Sequence, residues 1–138
     1  MTRICFVRHG ETDWNIELRM QGHVDIPLNA TGLAQAAALG RCFADGVDAA
    51  AIYSSDLLRA RQTAQPIAES LGLPIVPLVE LRERSFGRCE GLVIAEILER
   101  FPEEGLAMKR RDADHVPQGG ESRRQHQERI RACVRELA

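Results

Sequence analysis

The chain has 138 residues, of which 44% are hydrophobic and 28% charged, and its formal net charge is −2. This length fits a single domain, residues 1–138, that buries roughly two thirds of its unfolded surface. With a slightly negative net charge, the chain has no basic stripe of the kind that nucleic-acid binding requires. No apolar run approaches membrane-spanning length.

The cysteines are far apart and form no CxxC pair, which predicts reduced, mostly buried thiols rather than a disulfide framework or a zinc site. They are Cys5, Cys42, Cys89 and Cys133. Met1 is followed almost directly by an apolar run, which leaves no room for a secretory signal. We therefore expect a soluble, cytoplasmic protein.

The apolar run Ile4–Val7 predicts a short strand buried on both faces of a sheet. Arg8 and His9 follow at its carboxyl end, where ligands bind in open α/β sheets. Gly10 then allows a sharp turn that holds the imidazole outward.

The following segments alternate helix and strand. A helical turn is expected over 13–18, a loop over 21–29, and a helix that begins at the N-cap Thr31 and ends near Gly46. A second strand is expected over 50–53.

A helix capped by Ser54, Ser55 or Asp56 is predicted to follow this strand and to end at Gly72. Pro66 predicts a kink or a break near its middle, because an interior proline loses a hydrogen bond.

A third strand is predicted over 75–79, at a sheet edge because Pro74 and Pro77 cannot donate to a ladder. Helices are expected over 92–100, over 102–111 and after Ser122, where Gln125 completes a capping box. This alternation indicates an α/β fold with a mostly parallel sheet.

Three residues indicate an anion site. Arg8 and His9 follow the first strand, and Arg59 lies in the first turn of the helix after the second strand, where the helix dipole favours negative charge. Guanidinium groups match phosphate oxygens, and a neutral imidazole can attack phosphorus. Such a transfer also needs a proton donor, and the carboxylates of 80–90 are the candidates.

These residues resemble the motifs of the histidine phosphatase superfamily, the group that contains cofactor-dependent phosphoglycerate mutases and small phosphatases. The similar segments are, in chain order, 8–15 (RHGETDWN), 22–32, 54–64 (SSDLLRARQTA), 81–91 (LRERSFGRCEG) and 119–122 (GGES). The resemblance implies a phosphoglycerate mutase-like three-layer fold with helices on both faces of the sheet.

By the same resemblance, His9 becomes the phosphohistidine, Arg8 and Arg59 bind the phosphoryl oxygens, and Glu83 donates the proton. Asn15, Gln21 and Gly22 match positions that line the phosphate pocket. These seven residues form the predicted site, and the implied mechanism needs no metal. Glu11 is interpreted as a structural hydrogen-bond partner, and His23, His115 and His126 as surface residues.

The chain departs from the family pattern at its end. Family members carry a second histidine on a strand after the helix that corresponds to 122–137, and this chain ends at Ala138. The expectation is a truncated or incomplete chain that lacks the C-terminal strand of the sheet.

The resulting hypothesis is a phosphomonoester phosphatase that acts on a small phosphorylated metabolite without a cofactor. The first alternative is a phosphoglycerate mutase, which requires 2,3-bisphosphoglycerate for priming. The second is a catalytically weak phosphate-binding module. Assembly into a homo-oligomer is left open.

Overall fold

The computed structural model describes residues 2–138, which divide into two compact units. Unit 1 comprises the chain up to Asp13 together with Asp25–Arg82, and unit 2 comprises Trp14–Val24 together with Glu83–Ala138. The helices and strands are, in chain order, α1 Asp13–Ile16, α2 Ala30–Ala44, β1 Ile52–Ser54, α3 Leu58–Leu71, β2 Ile75–Pro77, α4 Ile94–Arg100, α5 Pro102–Lys109 and α6 Arg123–Leu137. Along residues 2–138, no helix is both long and apolar enough to cross a bilayer.

Unit 1 is built from a parallel strand pair and two helices, which confirms the mixed α/β class. β1 and β2 run parallel, with Ile52 opposite Ile75 and Ser54 opposite Pro77. The connection between them is α3, the crossover helix that a parallel pair requires. α3 packs extensively against α2, and Ala36, Ile67 and Ala68 are buried there.

The predicted first strand is wrong. Residues 4–7 form no strand, and the side chains of Ile4, Phe6 and Val7 are 42%, 74% and 41% exposed. A strand buried on both faces needs hydrogen-bonded neighbours and covering helices, and within residues 2–138 the sheet consists of β1 and β2 alone. The apolar side chains of residues 4–7 favour burial, but the segment forms a buried strand only where neighbouring strands can pair with it.

Of the kink or break predicted near Pro66, the break is wrong, because α3 runs continuously from Leu58 to Leu71. Pro66 lies against Gly40 of α2, and a Cβ on that glycine would come within 2.8 Å of the proline ring and carbonyl oxygen. Close packing of the two helices therefore offsets the hydrogen bond that the proline removes. Gly72 ends the helix as predicted.

The helix starts in unit 1 differ from those predicted. Asn29, not Thr31, caps α2, since its side chain accepts a hydrogen bond from Gly32 N at 2.9 Å. The start of α3 uses an acceptor from a distant loop: Asp25 Oδ1 accepts from Leu58 N at 2.7 Å. Ser55 Oγ accepts from Leu57 N at 3.2 Å, just before the helix begins.

The Asp25 contact makes a testable prediction. Replacing Asp25 with Ala leaves a backbone N–H at the start of α3 without its acceptor, which should lower the free energy of unfolding by about 1 kcal/mol. Chemical denaturation measures this loss. The matched control is Asp48→Ala, which removes another exposed carboxylate outside any helix. Equal stability of the two variants would contradict the capping role.

In unit 2, the predicted capping box at the start of α6 is confirmed. Ser122 accepts from Gln125 N at 3.0 Å, and the Gln125 side chain accepts from Ser122 N at 2.8 Å. α4 and α5 are close to their predicted ranges. The expectation of mostly buried cysteines holds for Cys89 and Cys133 but is wrong for Cys5 and Cys42, which are exposed.

A buried carboxylate, Glu104, organises the interior of unit 2. Its side chain is 3% exposed and accepts from Arg88 Nε at 2.7 Å, Cys89 Sγ at 2.8 Å and Gln118 N at 3.2 Å. Burial, followed by the hydrogen bond to Glu104, raises the pKa of the Cys89 thiol to about 12. Burial alone would raise the pKa of Glu104, but the three donors outweigh it and lower that pKa below its usual range.

This lowered pKa predicts acid sensitivity. Because the folded-state pKa of Glu104 lies below its ordinary value of 4.5, its stabilising contribution is complete above 4.5 and is lost as pH falls through the folded-state pKa. We expect the free energy of unfolding to decrease below pH 4.5, and to decrease less steeply in Glu104→Gln. Denaturation series at several pH values measure both slopes. Glu103→Gln, an exposed neighbour on α5, should retain the slope of the unmodified chain, and an unchanged slope in Glu104→Gln would contradict the assignment.

Candidate active site

The imidazole of His9 is held in one orientation by the backbone of the next residue. His9 is half-buried, and its Nδ1 lies 2.7 Å from the carbonyl oxygen of Gly10. Because a carbonyl oxygen only accepts, Nδ1 must carry the proton. In the neutral ring the lone pair is then on Nε2, which is the state that a nitrogen nucleophile needs.

Thr63 connects the His9 loop to Arg59. Gly10 N donates to Thr63 Oγ1 at 3.0 Å, and the same hydroxyl donates to the backbone carbonyl of Arg59 at 2.8 Å. Thr63 and Arg59 are 3% and 2% exposed, and both lie on α3. The hydroxyl thus fixes the backbone beside the imidazole relative to the first turn of the helix that carries Arg59.

The same loop packs closely against the start of α2. A Cβ on Gly32 would lie 2.1 Å from the carbonyl oxygen of Glu11, so only glycine allows this approach. Asn29 N donates to that carbonyl at 3.0 Å, and Asn29 Nδ2 donates to Glu11 Oε1 at 3.0 Å. Gln35 Oε1 accepts from Glu11 N at 2.9 Å. Glu11 therefore makes the structural hydrogen bonds expected of it.

Two further residues of the predicted site are Arg8, which belongs to unit 1, and Glu83, which belongs to unit 2. Arg8 is exposed and directly precedes His9, as the sequence requires. Glu83 is exposed in unit 2, where its Oε1 accepts from Arg84 N at 3.0 Å. Its backbone carbonyl oxygen accepts from His23 Nε2 at 2.9 Å and from Arg129 Nη2 at 3.3 Å.

The predicted pocket-lining residues Asn15, Gln21 and Gly22 also lie in unit 2. Gln21 and Gly22 are buried, and Asn15 is half-buried in α1. Gly22 has a φ of +52°, and a Cβ at this position would come 2.2 Å from Glu90 Oε1. The glycine therefore allows the Glu90 carboxylate to lie against this loop, where it accepts from His23 N at 3.0 Å.

Several residues that contact the predicted site residues within either unit have no role in the sequence-based prediction. Thr63 could have been found from its spacing, since it lies four residues after Arg59 and therefore one helical turn away. His23 was interpreted as a surface residue, but it is half-buried and bonded to Glu83. The contact between Arg129 and Glu83 joins residues 46 positions apart and has no local sequence signal. Within residues 2–138, no cluster of three or more His, Cys, Asp or Glu residues is arranged to hold a metal ion.

The role of Thr63 can be tested by removing only its hydroxyl. Thr63→Val should leave the buried Gly10 N–H without an acceptor and lower the free energy of unfolding by roughly 1–3 kcal/mol. It should also accelerate hydrogen exchange at the Gly10 amide, measured by NMR. Ser70→Ala is the matched control, since Ser70 Oγ makes the same type of bond to the Pro66 carbonyl at an exposed position of α3. Unchanged exchange at Gly10 in Thr63→Val would contradict the connection.

The comparisons with known proteins agree in pointing to phosphoryl chemistry. Residues 4–138 match the family described as histidine phosphatase superfamily (branch 1). The chain is 47% identical over 103 residues to an uncharacterized phosphatase, PhoE, of Bacillus subtilis, covering 75% of this chain and 53% of that protein. It is 38% identical over 125 residues to a 2,3-bisphosphoglycerate-dependent phosphoglycerate mutase of Gloeobacter violaceus, covering 88% and 57% of the two chains.

A solved structure gives the same result at the level of the fold. The native structure of a mycobacterial glucosyl-3-phosphoglycerate phosphatase superposes with a TM-score of 0.84 at 41% identity, covering 94% of this chain and 60% of that one. The chain thus spans a little over half the length of the relatives that it matches.

Proposed function

Since the chain belongs to the histidine phosphatase superfamily, we propose that it is a phosphomonoester phosphatase that carries the phosphoryl group on Nε2 of His9. The observation that carries this proposal is the bond between His9 Nδ1 and the Gly10 carbonyl. This bond assigns the proton to one ring nitrogen and the attacking lone pair to the other.

In the first step, the Nε2 lone pair attacks phosphorus in line with the ester oxygen. The N–P bond forms, the P–O ester bond breaks, and the leaving oxygen takes a proton from a carboxylic acid. We assign this proton to Glu83 and the binding of the phosphoryl oxygens to Arg8 and Arg59. Asn15, Gln21 and Gly22 are assigned to the lining of the phosphate pocket.

In the second step, water attacks the phosphohistidine. The Glu83 carboxylate accepts a proton from the water as the O–P bond forms and the N–P bond breaks, which releases phosphate and restores the neutral imidazole. The sum of the two steps is the conversion of a phosphomonoester and water to an alcohol and phosphate. Both steps use side chains alone, so the proposal includes no metal.

Arg59 suits the proposed role because of its position. It lies in the first turn of α3, where the helix dipole favours an anion. Its guanidinium offers paired donors that match phosphate oxygens. The Thr63 hydroxyl fixes the backbone that carries it relative to Gly10.

The proposed substrate is a small phosphorylated metabolite rather than a nucleic acid, in keeping with the net charge of −2. The mycobacterial relative is named for glucosyl-3-phosphoglycerate, and we propose the broader class of phosphomonoesters for this chain. We also propose a cytoplasmic location, which fits four cysteines that are all unbridged.

A phosphoglycerate mutase is the second candidate, because several relatives, that of Gloeobacter violaceus among them, carry that name. A mutase shares the phosphohistidine step but returns the phosphoryl group to a phosphoglycerate and needs 2,3-bisphosphoglycerate for priming. Interconversion of phosphoglycerates that depends on 2,3-bisphosphoglycerate would favour the mutase. Release of inorganic phosphate without it favours the phosphatase.

The proposal predicts a covalent intermediate on one residue. Incubation with a reactive phosphoryl donor and an alkaline quench should give label on His9 that is lost in acid, and mass spectrometry of peptides locates it. His9→Ala should abolish both the label and the hydrolysis of p-nitrophenyl phosphate, whereas His126→Ala should retain them. EDTA should leave both unchanged.

Arg59→Lys should retain the positive charge but lose the paired donors, and we expect roughly a 10²- to 10³-fold loss of kcat/KM. Arg61→Lys on the exposed face of α3 is the control. Phosphate binding with neither label nor turnover would replace the phosphatase with the phosphate-binding module.

A further inference from the structure

Glu83 is an exposed residue whose backbone is held from two sides. Its carbonyl oxygen accepts from His23 Nε2 at 2.9 Å and from Arg129 Nη2 at 3.3 Å. We propose that His23 and Arg129 are positioning residues, which hold Glu83 so that its carboxyl can transfer a proton. The inference rests on the proposed function, since it assumes that Glu83 is the acid.

The Glu83 carboxyl depends on its backbone for its orientation. The side chain is exposed, so core packing does not fix it. Its Oε1 accepts from Arg84 N at 3.0 Å, a bond to the next residue of the same loop. Any motion of the 83–84 backbone therefore moves the carboxyl, and an acid displaced by about 1 Å can lose about 10²-fold in rate.

The His23 side of the arrangement is fixed by Glu90. Glu90 Oε1 accepts from His23 N and from Phe86 N, both at 3.0 Å, and from Ser85 Oγ at 3.4 Å. One carboxylate therefore joins the 22–23 loop to the segment that follows Glu83. With its backbone held in this way, the His23 ring reaches the Glu83 carbonyl, and its Nε2 must carry the proton because a carbonyl only accepts.

The Arg129 side is fixed by Glu121. Glu121 accepts from Arg129 through both Nε and Nη2, and Glu121 Oε1 also accepts from Ser85 N at 3.1 Å. Glu121 N in turn donates to the Ser85 carbonyl at 3.1 Å. Burial alone would raise the pKa of Glu121, but Arg129 and the Ser85 amide lower it, so this carboxylate remains charged and holds the guanidinium in place.

His23 and Arg129 hold the Glu83 carbonyl oxygen from two different elements. A carbonyl oxygen has two lone pairs, and here each is directed to a different element, the 22–23 loop and α6. Glu90 and Glu121 each bond to the loop after Glu83 and to one of the two donor residues. The structure thus fixes the loop through paired carboxylates and places the acid on the exposed surface between its two supports.

The first experiment reports on the position of the Glu83 carboxyl and does not require phosphatase activity. Because Arg84 N donates to the Glu83 carboxylate, its amide proton shift should follow the ionisation of Glu83 in an NMR pH titration. This titration should disappear in Glu83→Gln, and also in His23→Leu and Arg129→Met. His23→Gln, whose amide can still donate, should restore it. Arg124→Met is the control, because Arg124 lies on α6 but pairs with Asp114.

The second experiment distinguishes positioning of the acid from a general loss of structure. An alkyl phosphate needs a proton on its leaving oxygen, whereas p-nitrophenyl phosphate scarcely does. His23→Leu and Arg129→Met should lose roughly 10- to 100-fold in kcat/KM on an alkyl phosphate and much less on p-nitrophenyl phosphate, as Glu83→Gln should. Arg124→Met should behave as the unmodified chain with both esters.

The outcomes separate the two proposals. An Arg84 amide that titrates normally in His23→Leu and Arg129→Met, or equal losses on both esters, would overturn the positioning roles. Absence of label on His9 together with absence of turnover in the unmodified chain would overturn the phosphatase instead. In that case the amide titration still decides whether His23 and Arg129 hold Glu83.

Discussion

The hydroxyl of Thr63 makes the interaction on which the arrangement of the His9 loop and the Arg59 backbone depends. A single oxygen accepts from the backbone beside the imidazole and donates to the backbone of Arg59. Because Thr63 is 3% exposed, water does not compete for either bond, and loss of the hydroxyl leaves a buried donor unsatisfied. The backbone beside the proposed nucleophile is thus fixed relative to the helix that carries the proposed phosphate-binding Arg59.

In unit 2, carboxylates hold distant segments of the chain together. Glu90, Glu104 and Glu121 each accept from donors on segments distant in sequence, and each thereby joins those segments. Arg84, beside the proposed acid, is 7% exposed and its pKa is lowered, first by burial and then by the nearby charge of Arg123. Its Nε donates to the Glu121 carbonyl at 2.9 Å, and its guanidinium stacks 5.2 Å from the Phe86 ring. Charged side chains thus hold the loop that carries Glu83 through several hydrogen bonds.

Local sequence predicted the elements whose determinants are local. The capping box of Ser122 and Gln125 was correct because both partners lie within one helical turn. β1 and β2 were found from short apolar runs next to turn residues. The caps of α2 and α3 were wrong because Asn29 is also held by Glu11, and because the acceptor at Leu58 comes from Asp25, 33 residues earlier. Pro66 was expected to interrupt α3, but packing against Gly40 supports the helix.

By itself, the sequence determined the α/β class and the family, because RHGET, the segment around Arg59 and the LRERSFG segment are chemical signatures that need no coordinates. It also supplied the proposed nucleophile, cations and acid. Only the tertiary structure decided the ring nitrogen of His9 that carries the proton, the hydroxyl that joins Gly10 to Arg59, and the two donors on the Glu83 carbonyl. It also decided that residues 4–7 form no strand. The reason is physical: hydrogen bonds and strand pairing depend on the conformation that folding imposes. The bond of His9 joins neighbouring residues but needs the right loop conformation, whereas the partners of Gly10 and Glu83 are 46 to 60 positions away in the chain.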